Sequence, residues 1–309
     1  MPDRIDPATL MRLGSLELRA RAVVEGFLSG LHRSPYHGFS AEFSEYRQYV
    51  PGDDVRYLDW RLYGRSDRYF IKRFEDETNL ACWLLVDLSR SMAYTSDQSR
   101  MTKADFARTA AATLAYFLTR QRDAVGLLTF DQQIGQIVPA RFRPGHLHQV
   151  FGALETAEGG ESTDVLGPLD RVAATVRKRG LVVLLTDLLA PLDGLSRSLS
   201  YLRARGHEVL VLRTLDPREI DFAFDEATMF RDRESGRSIF VDPAEAAAKY
   251  RANFEEHARG LEQMTRSHGI DLATLRTDES LDRALFELLA ARARRAAVGM
   301  RRPSSGAVR

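Results

Sequence analysis

The sequence is poor in cysteine: Cys82 is the single one among 309 residues, so no disulfide can form within the chain. No apolar run approaches the roughly 20 residues of a membrane-spanning helix. The N-terminus, MPDRIDPATLMRLG, lacks the basic-then-apolar pattern of a secretion signal. Neither sign of charge dominates, because 44 basic and 43 acidic side chains give a formal net charge of +1. We therefore expect a cytoplasmic protein with no membrane span and no general affinity for nucleic acid.

Two apolar runs of strand length each end in polar residues. LLVDLSRSM places Asp87, Ser89 and Ser91 at the end of the first run, and LVVLLTD places Asp187 at the end of the second. Such runs are typical of strands buried on both faces of a parallel sheet. Thr163 lies between them in the Gly-rich stretch GGESTD. Carboxylate and hydroxyl oxygens are the ligands that Mg²⁺ prefers, so these residues are candidates for a metal site.

From residue 78 onward, apolar runs alternate with helical patterns, which predicts an α/β fold with a Rossmann-like, doubly wound and mainly parallel sheet. Strands are predicted at 80–88, 124–130, 136–142 (an edge), 181–187, 208–212 and 270–275, and helices at 103–122, 145–157, 166–179, 194–205, 244–267 and 280–294. The stretch MFRDRESGRSIFV predicts an inserted β-hairpin near 229–241. In the usual strand order, the strands at 80–88 and 181–187 are neighbours where the order reverses, so their polar ends should meet.

The first 77 residues form a separate predicted region, followed by the main domain at 78–296 and a disordered basic tail at 297–309. Asp6-Pro7 predicts the start of a helix that runs to about residue 30. Residues 36–74 hold 11 of the 28 aromatic residues, with a turn signal at Pro51-Gly52-Asp53-Asp54. Binding of single-stranded nucleic acid is an alternative use of this segment. Its seven basic and nine acidic residues between positions 36 and 77 favour internal ion pairs instead.

The pattern Asp87-x-Ser89-x-Ser91, with Thr163 and Asp187, resembles the metal-ion-dependent adhesion site (MIDAS) of von Willebrand factor A domains. The resemblance implies that a Mg²⁺ or Mn²⁺ ion has Ser89, Ser91 and Thr163 as direct ligands, with Asp87 and Asp187 acting directly or through water. A carboxylate of a partner protein would complete the metal shell. The second aspartate of that family is usually followed by glycine, whereas Leu188 follows it here.

A second resemblance is to the domain-of-unknown-function 58 family (DUF58). Its hallmarks are found here as Arg47-Gln48-Tyr49-Val50-Pro51-Gly52-Asp53, then Arg56, Asp59-Trp60 and Arg65. This resemblance implies a von Willebrand A-like protein that works as a partner of a MoxR-type AAA+ ATPase, in the insertion of metals or the remodelling of protein complexes. Many members carry N-terminal membrane helices, which this sequence lacks.

Other interpretations of these residues remain open. The Asp-x-Ser-x-Ser triplet is also common in turns and helix caps, and Ser162 or Asp164 could replace Thr163. His146 and His148 are predicted to be a solvated pair at a helix start. The sequence has no His-Glu-x-x-His, Gly-x-Ser-x-Gly or Walker phosphate loop. We therefore expect a non-enzymatic metal-dependent binding module, with a Mg²⁺-dependent phosphoester hydrolase and a scaffold with a vestigial metal site as the alternatives.

Overall fold

The computed structural model describes residues 6–32, 46–48, 63–64, 69–72, 81–157, 160, 165–176, 179–189, 191–224, 227–231 and 237–285. Met1–Arg33 and Leu80–Arg309 form one compact unit, and Ser34–Asn79 form another. The N-terminal helices thus group with the sheet, which differs from the predicted division after residue 77. The reason is that Leu10, Ala20 and Val23 are buried in the same apolar core as the strands.

Six strands form the central sheet of the larger unit. They are β3 (Ala81–Asp87), β4 (Ala124–Phe130), β5 (Ile134–Arg141), β6 (Gly180–Thr186), β7 (Glu208–Leu215) and β10 (Asp271–Arg276). Their order is β10-β7-β6-β3-β4-β5; the edge strand β5 is antiparallel to β4, and the other pairs are parallel. This is the doubly wound strand order, so the predicted α/β fold class is confirmed.

Helices cover both faces of this sheet. They are α1 (Pro7–Met11), α2 (Leu16–His32), α3 (Lys103–Arg120), α4 (His146–Thr156), α5 (Leu166–Thr175), α6 (Leu192–Ala204), α7 (Pro217–Asp221) and α8 (Pro243–Ser267). One apolar core lies between the sheet and helices α1 to α4, and a second lies between the sheet and α5, α6 and α8. Among the described residues, none of the helices has the length and apolar character needed to cross a membrane.

The N-terminal helix is interrupted where the sequence predicts one continuous helix. Helix α1 ends at Met11 and α2 begins at Leu16. The backbone N–H of Leu16 donates to Glu155 Oε1 at 3.1 Å. That carboxylate comes from helix α4, far away in the chain, whereas the local signal for the start of α2 is Ser15, whose Oγ accepts from the backbone N–H of Leu18 at 3.4 Å.

Two further sheets have two strands each and do not pair with the central sheet. In the smaller unit, β1 (Tyr46–Gln48) pairs with β2 (Phe70–Lys72) in antiparallel fashion. The predicted turn at residues 51–54 lies outside the described residues. In the larger unit, β8 (Thr228–Arg231) pairs with β9 (Ser238–Val241), which confirms the predicted hairpin. Residues 281–285 are helical as predicted. The rest of that predicted helix and the tail at 297–309 lie outside the described residues.

Gly160 lies against the turn that joins β4 and β5, and we predict that it tolerates no side chain. A Cβ atom on Gly160 would overlap the carboxylate of Asp131, whose Oδ1 is held by the backbone N–H of Gln133 at 2.7 Å. Gly160→Ala should therefore lower the free energy of unfolding by about 1–3 kcal/mol, measured by urea denaturation. The control is Gly152→Ala, where a Cβ would meet nothing within 4 Å. Equal stability of the two variants would contradict this prediction.

Candidate metal centre

The candidate site lies where two neighbouring parallel strands end. Strands β3 and β6 pair in register, with Val86 opposite Leu185. Asp87 is the last residue of β3, and Asp187 directly follows β6. Side chains at the carboxyl ends of adjacent parallel strands share one edge of the sheet. The structure therefore brings together the two carboxylates that the sequence predicted to meet.

Asp87 is buried and held by two hydrogen bonds. The backbone N–H of Ser89 donates to Oδ1 at 2.9 Å, and the hydroxyl of Thr186 donates to Oδ2 at 2.6 Å. Burial, together with the nearby charge of Asp187, raises the pKa of Asp87 to about 7, although the hydrogen bonds from Thr186 and Ser89 act in the opposite direction. A bound cation would favour the ionised form of such a carboxyl group.

The hydroxyls of Ser89 and Ser91 face each other on the loop after β3. Their oxygens are 3.1 Å apart and share a hydrogen bond, and Ser91 lies in a single turn of 3₁₀-helix at Arg90–Ala93. Adjacent ligands of an octahedral Mg²⁺ ion, each at about 2.1 Å from the metal, are separated by about 3.0 Å. The hydroxyl pair thus has the chemistry and the spacing of two adjacent magnesium ligands.

Asp187 shares a buried lysine with Glu219. Lys103, at the start of α3, places its Nζ 2.9 Å from Asp187 Oδ2 and 2.6 Å from Glu219 Oε1. Burial by itself would lower the pKa of Lys103, but the charges of Asp187 and Glu219 outweigh it, so the pKa is raised above its ordinary value. Lys103 is therefore a protonated internal cation beside the site. The other oxygen of Asp187, Oδ1, accepts a hydrogen bond from the backbone N–H of Leu189 at 3.3 Å.

Glu219 is positioned by the short helix α7, which follows β7. The backbone N–H of Asp216 donates to Glu219 Oε2 at 3.0 Å, and Asp216 Oδ1 accepts from the backbone N–H of Arg218 at 2.9 Å. This is a reciprocal N-terminal cap with proline at the first helical position. Neither α7 nor Glu219 is among the sequence predictions, although Asp-Pro-Arg-Glu at 216–219 carries the capping signature that identifies both.

Leu188 occupies the position where the von Willebrand A pattern has glycine. Its φ angle is +50°, in the left-handed region that favours glycine. The backbone N–H of Leu188 donates to Thr186 Oγ1 at 3.3 Å, and His257 Nε2–H donates to the Leu188 carbonyl at 2.8 Å. The Leu188 side chain is buried in the apolar core. These contacts hold Leu188 in a backbone conformation that glycine adopts more easily than leucine.

The fifth predicted ligand, Thr163, lies outside the described residues, as do Ser162 and Asp164. Within the described ranges, no three His, Cys, Asp or Glu side chains lie close enough together to hold a metal ion. A metal here would therefore need hydroxyl ligands as well as carboxylates. The oxygen-only donor set at Asp87, Ser89, Ser91 and Asp187 suits a hard cation such as Mg²⁺ or Mn²⁺.

The sequence pattern of the family described as Protein of unknown function DUF58 matches residues 45–264, more than half of the chain. The chain belongs to the DUF58 family. Uncharacterized protein Rv1480 of Mycobacterium tuberculosis is 31% identical over 305 residues, covering 95% of this DUF58 protein and 93% of Rv1480.

Several solved structures are also similar. BatB of Bacteroides thetaiotaomicron is 14% identical with a TM-score of 0.47, covering 70% of this chain and 99% of BatB. The SpRpn10 VWA domain is 9% identical with a TM-score of 0.39, covering 67% and 93%. A mussel byssus protein, PTMP1, with zinc in its MIDAS motif is 15% identical with a TM-score of 0.34, covering 44% and 38%.

The two histidines near the start of α4 differ in their surroundings in this DUF58 protein. His146 is buried, and its Nε2–H donates to the Val125 carbonyl at 2.7 Å, whereas His148 is exposed. The predicted solvated pair is therefore wrong for His146, because the ring secures the start of α4 against strand β4. Cys82 is buried in the core, as expected for a residue inside a strand.

The raised pKa of Asp87 predicts a pH-dependent stability of the DUF58 protein in EDTA. The ordinary pKa is 3.8 and the folded value is about 7, so the folded state holds the proton more tightly than the unfolded chain. The contribution of Asp87 to stability is thus fully present below pH 3.8, its ordinary pKa. It is lost as the pH rises through about 7, its pKa in the folded state. Between about pH 6 and pH 8, wild type should lose about 1 kcal/mol of unfolding free energy relative to Asp87→Asn. Urea titrations measure this difference, and a pH-independent value would contradict it.

Proposed function

We propose that this DUF58 protein is a metal-ion-dependent protein-binding module. The observation that carries the proposal is the Ser89–Ser91 hydroxyl pair, spaced at 3.1 Å like adjacent ligands of Mg²⁺, beside the carboxylates of Asp87 and Asp187. The module would act non-enzymatically, through a bound ion that grips an acidic side chain of a partner protein.

The roles of the individual residues are those that the resemblance to von Willebrand A domains implies. Ser89, Ser91 and Thr163 would bind Mg²⁺ or Mn²⁺ directly, and Asp87 and Asp187 would do so directly or through water. The bound ion would supply a coordination position for a carboxylate from outside. Two ionised aspartates approximately neutralise a divalent ion and leave it able to accept one further anionic ligand. Hydroxyl ligands support this balance because they add oxygen atoms without adding charge.

We further propose that the partner is a MoxR-type AAA+ ATPase or its client, in the assembly of protein complexes or the insertion of metals. This part of the proposal rests on the resemblance of the Arg47–Asp53 segment and the residues after it to the DUF58 pattern. An adjacent gene that encodes such an ATPase would support it.

The experiment is a pull-down of that ATPase with the full chain, in Mg²⁺ and in a chelator. We expect retention in Mg²⁺ that is lost in the chelator and lost in Asp87→Ala. Asp216→Ala is the matched control, because Asp216 is also buried but caps helix α7 rather than facing the hydroxyl pair. Binding that is unchanged in Asp87→Ala would refute the proposal.

The two alternatives predict different results. A phosphoester hydrolase would turn over members of a substrate panel only when Mg²⁺ is present. A scaffold with a vestigial site would bind neither Mg²⁺ nor Mn²⁺ in calorimetry. Absence of turnover across the panel removes the first alternative, and metal binding removes the second.

A further inference from the structure

An exposed arginine belongs to the loop that carries the two serines of the candidate metal centre. Arg90 stands between Ser89 and Ser91 in the chain and is exposed. Within the part of the chain that the structure describes, its guanidinium makes no hydrogen bond or ion pair. Two arginines near the same edge are engaged: Arg213 donates to the Asp187 carbonyl at 3.1 Å, and Arg218 lies over the ring of Phe224. Arg90 is therefore a cation available to a ligand at the metal centre.

Two exposed leucines lie near the end of β6, at the same end of the sheet as the centre. Leu189 is 46% exposed, and its backbone N–H donates to the carboxylate of Asp187. Leu166 is 38% exposed at the start of α5 and packs against Gly194 in the first turn of α6. Since α6 begins three residues after Leu189, both side chains belong to the same end of the sheet. Both side chains can therefore make apolar contacts with a ligand that binds at this end of the sheet.

We infer that the partner presents a short acidic segment with an apolar side chain. One carboxylate occupies the metal, a second carboxylate pairs with Arg90, and the apolar side chain lies on Leu189 and Leu166. This inference rests on the proposed function and specifies the chemistry of its ligand. Strands β3 and β6 are neighbours, so their loops begin about 5 Å apart. An extended segment advances about 3.3 Å per residue, so a segment of a few residues can reach from the start of one loop to the start of the other.

Charge and apolar contact together favour an acidic protein segment over a basic segment or a nucleic acid. The ion and Arg90 both attract anions, so a basic segment would be repelled. A nucleic acid would satisfy the ion and Arg90 through its phosphates, but its backbone would leave Leu166 and Leu189 exposed to water. An acidic protein segment with an apolar side chain matches all three features.

The test begins with short random peptides displayed on phage and selected against the full chain in Mg²⁺ or in EDTA. We expect peptides selected in Mg²⁺ to be enriched in Asp or Glu together with a nearby large apolar residue, and no such enrichment in EDTA. The best peptide is then synthesised, and its affinity is measured by fluorescence anisotropy for wild type and variants.

Arg90→Glu should weaken binding of that peptide about tenfold, because an attraction becomes a repulsion, and Arg90→Lys should restore most of it. Leu189→Ser should weaken it about threefold to tenfold. The matched controls are Arg141→Glu and Ile137→Ser, which replace exposed residues on the edge strand β5 and should leave the affinity unchanged. Thermal unfolding and calorimetric Mg²⁺ binding of each variant verify that the fold and the metal site are intact.

The outcomes separate this inference from the proposed function. Mg²⁺-dependent binding of acidic peptides that is insensitive to Arg90→Glu and Leu189→Ser would overturn the inference and leave the proposed function standing. Enrichment of basic peptides, or Mg²⁺-dependent binding of a single-stranded oligonucleotide without peptide enrichment, would also overturn it. Failure of wild type to bind Mg²⁺ or to select any peptide would overturn both.

Discussion

Lys103→Met is expected to lower the free energy of unfolding by about 3–5 kcal/mol, because it leaves two buried carboxylates without their cation. Lys103 Nζ contacts Asp187 at 2.9 Å and Glu219 at 2.6 Å, and the lysine side chain has no exposure to solvent. Methionine has a similar length and an apolar end, so the main loss is the charge. Urea denaturation in EDTA measures the effect.

The control for this prediction is Lys249→Met on helix α8, where the lysine is exposed and makes no ion pair with the described residues. We expect its stability to change by less than about 0.5 kcal/mol. Combining Lys103→Met with Asp187→Asn and Glu219→Gln should recover part of the loss, since the uncompensated charges are then removed. A small effect of Lys103→Met, or no recovery in the combined variant, would contradict the role of Lys103 as the internal cation.

Asp87→Asn is expected to weaken Mg²⁺ binding roughly 100-fold or more. The amide keeps the shape of the side chain and part of its hydrogen bonding to Ser89 and Thr186, but it removes the negative charge. Calorimetric titration with Mg²⁺ gives the affinity. Since ionised Asp87 is buried at an energetic cost, the metal-free variant should fold at least as well as wild type at alkaline pH.

Asp216→Asn is the matched control for the metal prediction. Asp216 is buried like Asp87, but its carboxylate accepts hydrogen bonds from the backbone N–H groups of Arg218 and Ser96, each at 2.9 Å. This variant should lose stability by about 1 kcal/mol, because an amide oxygen can accept only one of these two hydrogen bonds, with little change in Mg²⁺ affinity. Equal loss of metal affinity in both variants would show that Asp87 has no special role.

The sheet and the two site aspartates could be predicted because their signals are local. Each apolar run from 80 to 88 and from 181 to 187 is a complete strand by itself, and the doubly wound order then determines that Asp87 and Asp187 are neighbours. The hairpin at 228–241 could be predicted for the same reason, because two short apolar runs flank a Gly-containing turn signal in the sequence.

The interactions that surround the site could not be predicted because they join distant parts of the chain. Lys103 meets Asp187 across 84 positions and Glu219 across 116. The hydroxyl of Thr186 meets Asp87 across 99 positions. In the sequence, Lys103 is one charged residue at a helix start, where a solvated side chain is the ordinary expectation. Only the folded arrangement shows that it is buried between two carboxylates.

Leu188 stands where the von Willebrand A pattern has glycine, and the surrounding contacts hold it in a conformation that suits glycine. Its positive φ shows why glycine suits this position, and the contacts with Thr186 and His257 show how leucine is held there. Asp87 and Lys103 are both buried with raised pKa values, but the consequence for the charge differs between them. The pKa of the buried carboxyl group is raised to about 7, which leaves it sensitive to a bound cation, while the buried lysine keeps its charge because two carboxylates surround it.

Calorimetric titration of Mg²⁺ into the metal-free full chain, above and below the pKa of Asp87, tests whether Asp87 belongs to a metal site. We predict that one ion binds per chain, that binding tightens as the pH rises through about 7, and that Asp87→Asn abolishes this pH dependence. Absence of binding at millimolar Mg²⁺ or Mn²⁺, or binding that is the same in wild type and Asp87→Asn, would contradict the account.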